Sequence, residues 1–172
     1  MNENLKYNSE KFKSMIHYII SRCENKDNLG RVVLYKLLYF SDFNYYELYE
    51  EPISGETYIK KTMGPVPIHF RDAINELINE GKISEKQEKV IDYSKYKYSS
   101  LKEPNLDILF NNELQVINDT INKLSNLLSK KISEYSHGDI PWKIAENEEP
   151  INYEAVFYRD PEYSVREYDD WI

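Results

Sequence analysis

The stretch RVVLYKLLYFSDFNYYELY, Arg31–Tyr49, decides the fold. Val33, Leu34, Leu37, Leu38, Ser41 and Tyr45 recur at steps of three and four, the period of one helix face. Tyr35, Tyr39, Phe40 and Phe43 carry the apolar surface around the cylinder. A helix apolar on nearly every side belongs at the centre of a core. Upstream, Phe12, Met15, Ile16, Ile19, Ile20 and Cys23 mark an amphipathic helix over Ser9–Cys23, with Asn8 or Ser9 as its cap. The polar run Asn25–Gly30 is the turn between the two helices.

Downstream the pattern mixes. Thr57–Thr62 reads as a short strand, and Gly64-Pro65-Val66-Pro67 as a turn. A third helix is expected over Ile68–Asn79, with Phe70, Ala73, Ile74, Leu77 and Ile78 buried and Gly81 ending it. Lys82–Glu85 and Val90–Tyr98 read as a hairpin joined by Lys86–Lys89, with a bulge or a break between Tyr93 and Tyr96 where the alternation changes phase. Helical spacing returns from Asn111, through Leu114, Ile117, Ile121, Leu124 and Leu127 or Leu128, and Ser129 is positioned to cap a further helix that Gly138 and Pro141 end. Trp142–Ala145 adds a single turn, and Ile151–Tyr158 reads as extended, docked chain. The expected class is α+β, mostly α, with a short strand and a β-hairpin in a winged-helix-like order.

The 172 residues fit one domain able to bury a core without staples. No apolar run approaches a membrane span, the polar N-terminus lacks a signal-peptide core, and the single Cys23 leaves no intramolecular disulfide. Together these point to the cytoplasm. Charge is uneven. From Ala145 onward nine residues are acidic and two basic, whereas residues 1–144 hold 21 acidic and 20 basic. A near-neutral body with an anionic end argues against general phosphate-backbone binding. The end either keeps the protein soluble or meets a basic partner.

Catalytic patterns do not emerge. His17, His69 and His137 lie far apart, and the five glycines form no phosphate-cradling loop. Cys23 lies on an apolar face, where cysteine is a small hydrophobe. Asp72, Glu76 and Glu80 read as a solvated helix face. No catalytic residue, cofactor site or metal site is assigned. A nucleic-acid reading rests on Arg71 and Asn75 of the third helix and on Lys86, Lys89, Lys95 and Lys97 of the hairpin, opposed by the acids of that same helix.

Three motifs in register carry a resemblance: Lys36-Leu37-Leu38-Tyr39-Phe40-Ser41-Asp42; Gly55-Glu56-Thr57-Tyr58 with Met63-Gly64-Pro65-Val66-Pro67; and Ser133-Glu134-Tyr135-Ser136-His137 with Pro141-Trp142. They resemble the Panacea, or SocA-like antitoxin, domain over roughly residues 10–158. The resemblance implies a protein-binding antitoxin of the kind also found in phages, which neutralises a cognate toxin directly or delivers it to a protease. The alternative is a winged-helix-like nucleic-acid-binding regulator or phage accessory protein. Some members carry an extra N-terminal DNA- or zinc-binding module, which this sequence, with about eight residues before its first helix, is expected to lack. Among the motif residues, Leu37, Leu38 and Phe40 are expected in the core, Gly64, Pro65 and Pro67 at the strand-to-helix turn, and Trp142 as the anchor of the last helix. His137 is expected to hydrogen-bond the following turn. The domain is expected to span residues 1–158, leaving an acidic, aromatic tail over 159–172. Tyr45, Tyr46 and Tyr49, with Tyr163, Tyr168 and Trp171, are the candidate exposed contacts for a basic toxin.

Overall fold

The structure, a computed structural model, describes residues 5–169, apart from the Tyr93 side chain. Helices α1 (Ser9–Cys23) and α2 (Arg31–Tyr49) occupy the bounds set by their periodicity. Asn8 caps α1, its side chain accepting from Lys11 N at 3.0 Å and so satisfying one first-turn donor. α2 ends where Glu50 turns left-handed, at φ 61°. Leu34, Leu37, Leu38, Tyr39 and Phe43 of α2 are completely buried, each contributing about 1.5–3 kcal/mol of apolar burial. Phe40 is buried with them. α1, α4 (Asn111–Leu124), α5 (Ser129–His137) and a 3-10 helix (Tyr153–Tyr158) all pack on α2. The all-round apolar character of this helix is thereby used up in core contacts.

β1 (Tyr58–Lys61) pairs antiparallel with β2 (Gly64–Pro67), in the register Tyr58↔Pro67 to Lys61↔Gly64. Gly64–Pro67 is therefore a strand rather than only a turn. A two-stranded sheet tolerates Pro65 and Pro67 because each strand keeps an edge where a missing N–H costs little. The free edge of β1 is met by returning chain: Ile59 bridges Pro150, and Ile151 N donates to Tyr58 O at 2.8 Å. Helix α3 spans Phe70–Asn79, two residues later than its apolar pattern implies, because Ile68 N donates to Thr57 O and prolongs the ladder. Ile78 lies outside the buried stripe and is partly exposed.

The hairpin differs most. β3 (Ile83–Val90) and β4 (Tyr93–Ser100) pair without a bulge from Ile83↔Ser100 to Val90↔Tyr93, so Lys86–Lys89 is strand and Ile91-Asp92 is the turn. Residues 86–92 are exposed. The outer half of the ribbon has no face on the core and so no reason to alternate, and its sequence pattern does not mark its register. α5 starts at Ser129 itself, with Leu128 in the cap position, and α6 (Ile140–Ile144) supplies the short last helix. The segment expected to be extended forms the 3-10 helix instead. The class is α+β, mostly α, with two separate two-stranded sheets. Among the described residues, no helix is long and apolar enough to cross a membrane.

Candidate functional site

α2, β2 and α5 bring the three motifs to one place. Gly64 opens β2 with φ +117°, a conformation that L side chains rarely adopt. A Cβ there would lie 2.5 Å from Lys36 Cε and 2.6 Å from Ser136 Oγ. The bare glycine lets α2 and α5 side chains meet beneath the hairpin. Lys36 is 1% exposed, and burial alone pushes its amine down to about 8. Ser136 Oγ donates to Ser133 O at 2.7 Å. Ser133 Oγ and His137 Nε2 are buried with no partner among the described residues. The His137 ring stacks on Trp142, centroids 4.5 Å apart, in place of the expected bond to the following turn. Trp142 Nε1 reaches back to Lys61 O at 3.3 Å.

A second polar network lies across α2. The Asp42 carboxylate accepts from Ser54 N at 2.8 Å, Ser54 Oγ at 2.6 Å and Tyr58 OH at 2.7 Å. Glu56 accepts from the His69 backbone N at 2.8 Å and approaches His69 Nδ1 at 2.6 Å. The imidazole lies in turn under the Tyr7 ring. His69 and His137 therefore serve different partners. Burial pushes the Asp42 carboxyl up from 3.8 to about 6, against the pull of its Ser54 and Tyr58 bonds. Because the folded value is the higher one, native protein holds a proton between about pH 4 and 6 that the unfolded chain releases. The stabilisation is complete below that window and is lost as pH rises through it. The urea midpoint of the wild type is expected to fall from pH 4 to 6 relative to Asp42→Asn, which lacks the ionisation. Parallel courses for the two proteins would contradict this.

The residues after Tyr158 dock on the body through residues of both charge signs. Arg159 is buried; its Nε and Nη2 donate to Asp139 at 2.9 Å, and its Nη1 donates to Glu47 at 3.0 Å and Asn44 at 2.8 Å. Burial opposes the Arg159 charge, but Asp139 and Glu47 outweigh it and hold the guanidinium above its ordinary range. Tyr39 OH completes the Asp139 side at 2.8 Å. Glu47 also accepts from Ser164 Oγ at 2.5 Å, Val165 N at 3.1 Å and Tyr168 OH at 2.9 Å. Tyr163 packs on Tyr135, ring centroids 4.6 Å apart, and donates to its carbonyl.

The structure divides the candidate contact tyrosines. Tyr49 and Tyr168 are 48% and 50% exposed. Tyr45, Tyr46 and Tyr163 are 5%, 3% and 7% exposed, so their expected exposure is not found. The cause for Tyr46 is visible: Tyr153 and Phe157 of the 3-10 helix cover its ring. Trp171 lies outside the described residues. Arg71, a candidate base reader, is tied to Glu85 by two bonds of 2.9 Å. Sequence reasoning gave no role to Lys36, Asp42, Glu47, Glu56, Asp139 or Arg159. Lys36, Asp42 and Glu56 lie within the quoted motifs, and a charged residue on a helix apolar all round was the available signal.

A family model described as antitoxin SocA-like, Panacea domain, matches residues 34–143. The chain belongs to the SocA-like Panacea domain family. The match begins inside α2 and ends within α6, so it is narrower than the resemblance suggests and leaves out α1 and the segment after α6. No curated protein and no solved structure matches the chain. All three motifs fall inside the matched Panacea span, and the Lys36–Gly64–Ser136 contact is assembled entirely from it.

Proposed function

We propose that this chain is an antitoxin that holds a cognate toxin inactive by binding it directly. Membership in the SocA-like Panacea family carries the reading. Two surface features support it. Tyr49 and Tyr168 offer exposed aromatic rings of the kind that anchor protein interfaces. The docked segment turns Arg159 inward, and Arg166 donates to Glu47 O, while Asp160, Glu162, Glu167 and Asp169 stay exposed. The segment therefore shows an anionic outer edge, complementary to a basic toxin.

The test is co-expression with the protein encoded beside it. The neighbour is expected to arrest growth alone and to be harmless together with this chain; arrest in both cases defeats the reading. The anionic edge has its own test. The fourfold variant Asp160→Asn, Glu162→Gln, Glu167→Gln and Asp169→Asn leaves the aromatic and arginine contacts in place. It is expected to slow association with the toxin by about tenfold at low salt, because steering charges act mainly on the encounter rate. An unchanged rate would remove the segment from the contact surface.

A further inference from the structure

The β3–β4 ribbon leaves the outer edge of β3 open. Leu101 N donates to Lys82 O at 2.8 Å, which fixes the phase of the ladder beyond it. Antiparallel pairs alternate between bonded and non-bonded. Along the register, Ser84↔Ser99, Lys86↔Lys97, Glu88↔Lys95 and Val90↔Tyr93 are then the bonded pairs. Ile83↔Ser100 is non-bonded, and Ser100 N accordingly turns away from β3 and donates to Glu24 at 2.6 Å. The same alternation turns the N–H and C=O groups of Glu85, Gln87 and Lys89 to the outer side of β3. None of these groups has a partner among the described residues. A bare edge of this kind is a template for another strand, and charges along it usually keep a second copy away. Here the order of charges does the opposite. The edge reads Glu85-Lys86-Gln87-Glu88-Lys89, and reversing it while inverting every charge returns the same pattern.

We propose that two copies of this chain pair antiparallel through β3, about a two-fold axis at Gln87, and so form one four-stranded sheet in the order β4-β3-β3-β4. In that register Lys86 of each copy faces Glu88 of the other, and Glu85 of each faces Lys89 of the other. The bonding phase agrees. Glu85, Gln87 and Lys89 carry the outward groups, and they meet Lys89, Gln87 and Glu85 of the second copy. Lys86 and Glu88 fall at non-bonded positions, where facing side chains approach most closely. Both are exposed, and Glu88 has a loose ion pair with Lys97 at 3.8 Å on the neighbouring strand. Glu85 is already held by Arg71, so the Lys86–Glu88 pairs carry most of the electrostatic preference. The neighbouring registers of the same phase put Lys86 on Lys86, or Glu88 on Glu88, at the axis. β4 offers no equivalent edge, because Lys95 and Lys97 have no acid beside them on that strand and self-pairing brings cations together. A two-fold contact uses the same edge on both copies and stops at the dimer. The hairpins point in opposite directions, which places the two bodies at opposite ends of the sheet. One strand pair buries little surface, so the dimer is a weak one. This pairing goes beyond the antitoxin reading and does not rest on it.

The experiment is sedimentation equilibrium of the full chain at low salt, up to about 1 mM protein, the range in which a contact this small is populated. Dimer is expected to grow with concentration. Amide exchange is expected to slow in step at Glu85, Gln87 and Lys89, but not at Lys86 and Glu88, which are already bonded to β4. Lys86→Glu alone, or Glu88→Lys alone, is expected to weaken the dimer about tenfold, because symmetry turns two attractive pairs repulsive at once. Lys86→Glu combined with Glu88→Lys restores both pairs and is expected to dimerise like the wild type. An equal mixture of the two single variants is expected to dimerise as well, each supplying the charge the other lacks. Monomer at every concentration overturns the proposal, whether or not the edge then accepts a strand of another protein. A dimer without slowed exchange at Gln87, or single variants that dimerise like the wild type, also overturns it.

Discussion

Arg159→Met is expected to destabilise the protein by about 3–5 kcal/mol, read from urea unfolding. The guanidinium is enclosed, and its removal strands two buried carboxylates, Asp139 and Glu47, on separate elements. Breaking a buried ionic group by removing one member costs more than the group contributes as a whole, because the remaining charge keeps its desolvation penalty. Asp139→Asn and Glu47→Gln added to Arg159→Met are expected to recover a substantial part of the loss, since no charge is then left unpaired. The variant has a local signature as well. Glu47 is the acceptor for Ser164, Val165 N and Tyr168, so residues 160–169 are expected to become a site of limited proteolysis. A loss below about 1 kcal/mol with an intact protease pattern would contradict this assignment.

Gly64→Ala is expected to cost about 2–4 kcal/mol. One part is backbone strain, since φ +117° is rare for any residue with a Cβ. The other is overpacking, with the new methyl 2.5 Å from Lys36 Cε and 2.6 Å from Ser136 Oγ. The two parts separate in a double variant. Lys36→Ala removes the nearest atom, so the added cost of Gly64→Ala in that background is expected to be smaller, with the backbone share remaining. Equal costs in both backgrounds would show that Lys36 does not lie against Gly64.

The helices were legible because their burial imposes a period. α1 and α2 sit where the three- and four-residue spacing puts them, since both lay continuous faces on the core. The β3–β4 register was not legible, because its outer half faces solvent on both sides and no period is enforced. Tyr45 and Tyr46 show a related limit. On a helix apolar all round, spacing cannot say which residues are left over for the surface, and later chain covers Tyr46. The buried charge group was hidden by distance, since Arg159 and Glu47 are 112 residues apart. Counting the segment after Ala145 as acidic averaged over the residue that decides its position: Arg159 holds it to the body while the acids remain outside. The motifs identified the family, but the contact of Lys36 with Ser136 beneath Gly64 appears only when α5 is set against α2.

Direct neutralisation is tested most plainly by following the toxin itself in cells that co-express both proteins. The account predicts that growth is restored while the toxin persists at undiminished level and is recovered in a stoichiometric complex with this chain. Restored growth accompanied by disappearance of the toxin, or by its recovery free of this chain, would contradict it.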